Sequence, residues 1–357
     1  MPDKIRFAQL SFWFGHARGI CNAAKKHPNV DLACVWDADP DRGKAAAEQF
    51  GVEYIGDLDE LLARDDIDAV GICSETQLHG EHIVRAAEAG KHCMVEKPFT
   101  RTPEQADEAI AAAEKNNVQV MPVYNLRFSP AHEKMKEVVD SGQLGPICQV
   151  RRRHGHPKYS AYNYDPQKIL NDPNDPWVDP DPEGRSSLYH AGSHSIFWMF
   201  WMFGMPESVV SIGASRVGNL PVEDNCTSVF HYDNGMLVTM HNSETETIAP
   251  LATEIYGFDG ALIQVRGDGP STRTDFGDPA ALMLHTKDQP GWQPLSEYHR
   301  SFVPPGYGPF DKFFDALSAG DEMPITMYDG KKCVQILAAA ELASKEKRQV
   351  SLSEITG

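Results

Sequence analysis

Four histidines carry much of the chemistry this chain could perform. His190 and His194 are four residues apart in a helical pattern, so they share one face and point into one space. With His154 or His156, from the end of an earlier strand pattern, they could form a three-ligand open site for a divalent metal. A second group lies nearer the N-terminus. The turn after the first strand pattern reads Ser11-Phe12-Trp13-Phe14-Gly15-His16. A dinucleotide-binding turn would carry GxGxxG, so that pyrophosphate can approach bare backbone at a helix N-terminus, but here Ser11, Trp13 and His16 hold the glycine places. The turn alone therefore also fits an α/β domain whose turn binds nothing. Asp37, at the end of the second strand pattern, lies roughly 20 residues beyond it and could accept both hydroxyls of an adenosine ribose. It would repel a 2′-phosphate, and no arginine follows it directly, which favours NAD over NADP.

The elements that must position these groups fall into two patterns. Strands are expected at 5–10, 31–36, 69–73, 92–95 and 118–123, alternating with helices at 17–27, 40–50, 78–89 and 103–116. Gly51 and Gly90 stand where left-handed helix ends would fall. This alternation predicts a doubly wound parallel sheet, a Rossmann-type α/β domain over residues 1–124. From 125 to 357 the pattern becomes α+β with an open, mostly antiparallel sheet. Its strands are expected at 147–153, 208–217, 226–232, 236–242, 252–256 and 261–265, with helices at 186–203 and 331–345. Asp233-Asn234-Gly235 predicts a tight hairpin with a type I′ turn. A Pro- and Asp-rich loop from 155 to 184 is long enough to be functional.

Composition narrows the role. The 357 residues are 41% hydrophobic and 24% charged, with a net charge of −18, so nucleic acid and anionic membrane surfaces are poor partners. The longest apolar run, Ile196 to Phe203, falls far short of the ~20 residues that cross a bilayer. It reads as core. The Arg151-Arg152-Arg153 run reads as a solvated or interface feature. The start of the chain lacks an export pattern, and the 7 cysteines never form a CxxC pair, so a reducing cytoplasm is expected.

One set of segments is specific in combination: Ile67-Asp68-Ala69-Val70, His79, Ala89-Gly90-Lys91-His92, Glu96-Lys97-Pro98 and Tyr124-Asn125-Leu126-Arg127-Phe128-Ser129-Pro130. On these the chain resembles the Gfo/Idh/MocA family, named for glucose–fructose oxidoreductase, inositol dehydrogenase and a rhizopine-catabolism protein. The resemblance implies that Ser74, Glu75 and His79 line a cofactor cleft, mostly through backbone contacts, with the 11–16 turn (Ser11, Phe12, Trp13, His16), Asp37 and Asn125, and that Glu96 sits by the nicotinamide ribose. It implies that Lys97 is the catalytic lysine. Hydride loss from an alcohol carbon requires removal of the hydroxyl proton, and a partly buried lysine can have its pKa lowered toward neutrality. His194 and Gly192 match a second family signature, in which His190 stands where the family has aspartate.

Three readings of that replacement stay open. His190 takes the aspartate's part in hydride-transfer chemistry; or His190 and His194 join His154 or His156 on a metal, although no resident metal is the primary expectation; or the site is inactive and binds a ligand without turnover. Substrate contacts are expected from Arg127, His154, His156, Tyr159, Trp177 and Tyr189, since aromatic faces with polar edges suit sugars and cyclic polyols. The implied function is NAD-dependent hydride exchange at a secondary alcohol of a carbohydrate, in a homodimer or homotetramer built through the second sheet. The rivals are transient oxidation driving elimination, glycoside cleavage or epimerisation, and a ligand-binding relative without catalysis.

Overall fold

The computed structural model describes residues 4–156, 186–215, 222–245, 252–265, 282–295 and 306–356. The chain divides into two units, Met1–Tyr124 with Pro305–Val334, and Asn125–Pro304 with Gln335–Thr356.

The first unit contains β1 (Ile5–Leu10), α1 (His16–Lys26), β2 (Val30–Trp36), α2 (Pro40–Phe50), β3 (Glu53–Tyr54), α3 (Leu58–Leu62), β4 (Ala69–Ile72), α4 (His79–Glu88), β5 (His92–Val95), α5 (Pro103–Lys115) and β6 (Val120–Pro122). The strands form one parallel sheet in the order β3-β2-β1-β4-β5-β6. That order reverses between β1 and β4, and the crevice beyond the carboxyl ends of these strands is where such folds take ligands. Local chemistry sets the helix ends. Asp39 caps α2 by accepting from the Asp41 and Arg42 amides, Pro40 opens the helix, and Gly51 closes it at φ 64°. Thr102 and Pro103 do the same for α5. The sequence reading missed the helix Pro309–Ala319, whose Phe314 packs edge-on against Phe7 of β1 at 5.1 Å.

In the second unit, α6 (Pro130–Asp140) leads to β7 (Ile147–Gly155), and α7 (Ser187–His190) and α8 (Gly192–Phe203) follow. Then come β8 (Ser208–Ala214), β9 (Asn225–His231), β10 (Leu237–Ser243), β11 (Thr253–Gly257), β12 (Gly260–Gln264), β13 (Leu282–Thr286), β14 (Gln289–Leu295) and β15 (Val350–Ser351). The sheet runs β14-β13-β12-β11-β7-β10-β9-β8-β15 and is antiparallel except where β7 and β10 pair in parallel. No described helix is long and apolar enough to cross a membrane.

Three local expectations need correction. The expected helix 186–203 is two helices meeting at Ala191, which keeps right-handed dihedrals of φ −78° and ψ −39°. The β9–β10 hairpin is present, but its turn is not type I′. Among the described non-glycine residues only Ser11, Asn117 and Lys347 have positive φ, and in this turn Gly235 alone does, at 84°. The Gly235 amide donates to Tyr232 O and the Tyr232 amide to Met236 O, the pattern of a type I turn closed by a left-handed glycine. The arginine run is not uniformly solvated. Arg152 is 0% exposed, its guanidinium 4.5 Å over the Trp198 ring and donating to Thr253 Oγ1 at 2.7 Å. Period-two alternation puts Arg152 on the inner face, where its charge needs these partners.

Gly257 shows how tightly this sheet is built. A Cβ there would lie 2.1 Å from Leu144 O, a backbone atom that cannot rotate away. Gly257→Ala is expected to lower stability by about 1–3 kcal/mol through overpacking. A urea midpoint equal to that of the unsubstituted protein would contradict this.

Candidate active site

The β1–α1 turn solves without glycine a problem that glycine usually solves. Ser11 adopts φ 64°, and its side chain accepts from the Trp13 amide at 3.1 Å. The Phe12 amide donates to Asp37 Oδ2 at 2.6 Å, and the Phe14 amide to Cys73 O at 3.2 Å. Three N–H groups of the turn are thereby committed to the protein. What stays open is the start of α1: a Cβ at Gly15 would meet nothing within 4 Å, so an anion can approach the helix N-terminus there.

Asp37 differs from the simple expectation. Its carboxylate is buried and accepts from Phe12 N, from Asp39 N at 2.9 Å, and from Arg42 Nε and Nη2 at 2.8 and 2.6 Å. A carboxylate has about four acceptor positions, so these donors fill it. The reasoning from the absence of an adjacent arginine looked one residue on, whereas the partner comes from the first turn of α2, five residues on.

Around Lys97 the residues are closely interlocked. Lys97 follows β5, is 5% exposed, and sets its ammonium 5.6 Å from the Phe14 ring centroid. Phe14 packs edge-on against His16 at 4.7 Å, and His16 Nδ1 lies 2.9 Å from Glu96 Oε2. Glu96 is 2% exposed; burial works to raise its pKa, but His16 and Lys97 outweigh that and hold it below the usual carboxylate range. Glu96 Oε1 is buried and has no hydrogen-bond partner among the described residues. A buried acceptor of this kind fits a ribose hydroxyl, so these residues suit a dinucleotide despite the missing glycines.

The depressed pKa of Glu96 predicts a pH effect. Its stabilisation is fully present above the unfolded value of about 4.3 and is lost as pH falls through the folded value. The gap in melting temperature between the unsubstituted protein and Glu96→Gln should therefore shrink on acidification below about pH 4.3. A gap independent of pH would contradict the ion-pair account.

His79 and Ser74 direct their side chains to partners within the protein, and the cofactor contacts expected of them are mostly through backbone. His79 is buried, with Nδ1 2.9 Å from Pro98 O and Nε2 3.1 Å from Ser74 O, and burial pushes its pKa below the usual value. It ties the loop after β4 to the segment after Lys97. The Ser74 hydroxyl is engaged with His82 Nδ1 at 2.9 Å. Glu75 is half-buried at the start of a short 3-10 turn.

The second unit brings its histidines together. His154 lies on β7, with ring centroids 5.3 Å from His194 and 5.5 Å from His156, and His156 lies 5.1 Å from His190. The break at Ala191 does not separate His190 from His194, because the backbone stays right-handed through it. Glu244 joins them, Oε1 2.8 Å from His190 Nδ1 and Oε2 3.5 Å from His156 Nδ1. Sequence reasoning missed Glu244. The parallel register supplies the signal: Asn242 pairs with His154 and Ser243 with Gly155, and one residue further on each chain stand Glu244 and His156, whose amide donates to Ser243 O.

Family comparison now adds to this geometry. The family described as an oxidoreductase family with an NAD-binding Rossmann fold matches residues 14–124. The Gfo/Idh/MocA C-terminal domain matches residues 132–263. The chain belongs to the Gfo/Idh/MocA oxidoreductases. Inositol 2-dehydrogenase of Rhizobium meliloti is 24% identical over 344 residues, covering 95% of this chain and 95% of that protein. A Bacillus subtilis relative named scyllo-inositol 2-dehydrogenase (NADP(+)) IolU is 31% identical over 265 residues, 72% of this chain and 75% of its own. The WlbA dehydrogenase from Bordetella pertussis, solved with NADH and UDP-GlcNAcA, shares the fold with a TM-score of 0.81 at 18% identity, covering 98% of each chain.

Of the other residues expected in this Gfo/Idh/MocA site, Tyr189 is 1% exposed and its hydroxyl donates to Glu341 Oε2 at 2.7 Å, so it anchors α7 to the helix Met327–Glu346. Arg127 stacks 4.8 Å over Trp201 and faces Glu133 Oε1 at 3.5 Å, which ties the 3-10 turn Asn125–Phe128 to α8 and α6. Asn125, half-buried, opens that turn. Tyr159 and Trp177 lie outside the described residues.

Proposed function

We propose that this oxidoreductase exchanges hydride between NAD and a secondary alcohol of a sugar, polyol or related carbohydrate. The observation that carries this reading is the pairing of Glu96, whose Oε1 is a buried acceptor without a described partner, with Lys97 at the carboxyl end of β5. NAD, when bound, accepts or returns the hydride. Oxidation of the carbinol also releases the hydroxyl proton, and the Lys97 side chain takes it as a neutral amine while the carbonyl forms and returns it as the ammonium in reverse. Phe14 shields the approach to that amine, while Glu96 and His16 fix its surroundings. His79 acts by holding the Pro98 carbonyl. In the second unit, Glu244 lies 2.8 Å from Nδ1 of His190, which stands where the family has aspartate.

NAD is preferred to NADP because a carboxylate, Asp37, lies at the end of β2. Arg42 must yield at least one of its two bonds for a ribose diol to reach it, and with 29% of its side chain exposed it has solvent to move into. Carbohydrate substrates are supported by the names of relatives that act on inositols. The exposed alternate positions Val210, Ile212, Val229 and Leu237 of β8–β10 support association through this sheet face. Sedimentation showing a monomer at working concentrations would contradict it. All 7 cysteines are free thiols, which supports a reducing compartment such as the cytoplasm. Turnover against a polyol and sugar panel, followed by formation of reduced nicotinamide, tests the reaction. Substrate conversion without accumulation of reduced nucleotide would favour transient oxidation instead.

A further inference from the structure

The group beside β10 has a property that hydride transfer does not call for. His156, His190 and Glu244 each offer one ligand atom, and these atoms all lie within 4.8 Å of one another. We propose that they form a zinc site in which two imidazoles and one carboxylate hold the ion and a fourth position is left for an oxygen ligand.

The distances are compatible with such a centre. With Zn–N and Zn–O bonds of about 2.0–2.2 Å, ligand atoms in a tetrahedral centre stand about 3.3 Å apart. Glu244 Oε2 and His156 Nδ1 are at 3.5 Å, longer than an ordinary hydrogen bond and close to that separation. Glu244 Oε1 and His190 Nδ1, at 2.8 Å, would open by about half an ångström to match it. Each ligand is set by backbone rather than by a long flexible stem. Glu244 follows β10 directly and its amide donates to Asp224 O; the His156 amide donates to Ser243 O; the His190 amide donates to Ser186 O. Glu244 is only 3% exposed, and a buried carboxylate is a common ligand for a divalent ion.

A second observation is independent of the three ligands. Asn242, two residues before Glu244 and paired with His154 across β7 and β10, is 1% exposed, and neither its amide oxygen nor its nitrogen has a hydrogen-bond partner among the described residues. A fully buried amide with both ends unmatched, beside three convergent ligands, fits a place for a bound water or ligand oxygen. Ligand chemistry selects the metal. Imidazole nitrogens favour zinc over magnesium or calcium, which prefer all-oxygen shells. The open position would take water, or a hydroxyl or carboxylate oxygen of a polyol or hydroxy acid.

The test is metal content of the full-length protein, measured without nucleotide or turnover. After incubation with zinc and exhaustive dialysis, elemental analysis should find one zinc per chain. His156→Ala and Glu244→Gln should each lose it, and His285→Ala, on β13, should keep it. Because a variant could fail to fold, the unsubstituted protein loaded with cobalt provides a second readout. Its visible spectrum should show four- or five-coordinate cobalt with nitrogen and oxygen ligands and no sulfur-to-cobalt charge transfer. A protein that emerges from dialysis without zinc, folded variants that retain it, or a spectrum showing thiolate ligation would each overturn the proposal.

Discussion

Lys97→Ala should reduce turnover by about 10²–10⁴-fold, the usual contribution of a positioned proton-transfer group. Its nucleotide affinity should change little. The asymmetry follows from where the side chain sits: the Lys97 ammonium lies against Phe14, whereas the buried acceptor that suits ribose belongs to Glu96. Truncation at Cβ leaves Glu96, its contact with His16, and the β1–α1 turn in place. A purely structural role for Lys97 would lower both turnover and binding through local loosening. Kinetics and nucleotide titration on the same preparation therefore separate the two. Normal turnover would remove Lys97 from the chemistry.

Asp37→Ala should weaken NAD by on the order of 100-fold and NADP far less. Hydrogen bonds to a charged partner contribute about 1.5–3 kcal/mol each, and 1.4 kcal/mol is a factor of ten in affinity. Two ribose bonds, less the cost of displacing Arg42, leave a loss of that order. The substitution also frees the Arg42 guanidinium, which then offers a 2′-phosphate a bidentate partner. For NADP the two effects oppose each other. Equal losses for both nucleotides would mean that Asp37 serves only to hold the Phe12 amide and the turn.

Much of this architecture was legible in the sequence because its signals are local. The β1–β6 and α1–α5 pattern follows from apolar runs, from caps such as Asp39 and Thr102, and from Gly51. Lys97 and His194 came from motifs. What could not be read depends on pairings between distant segments. Arg42 looks like a solvated helix residue until the close of the β2–α2 turn brings it to Asp37. Tyr189 looks like a pocket aromatic until the helix Met327–Glu346 brings Glu341 to its hydroxyl. Arg152 looks exposed until strand alternation turns it inward onto Trp198. Glu244 enters the histidine group only through the parallel register of β7 and β10, in a sheet whose other neighbours are antiparallel. The β13–β14 hairpin was missed because Gln289–Leu295 is polar, Pro- and Gly-containing and largely exposed, so it carries no alternation.

Calorimetric titration of the full-length protein with NAD, NADH, NADP and NADPH bears most directly on the enzymatic account. It should show saturable binding of the nicotinamide dinucleotides, tighter for NAD and NADH than for their 2′-phosphorylated counterparts. No heat and no binding with any of the four would contradict hydride exchange and transient oxidation alike, and would leave a ligand-binding protein that has kept the fold without the cofactor.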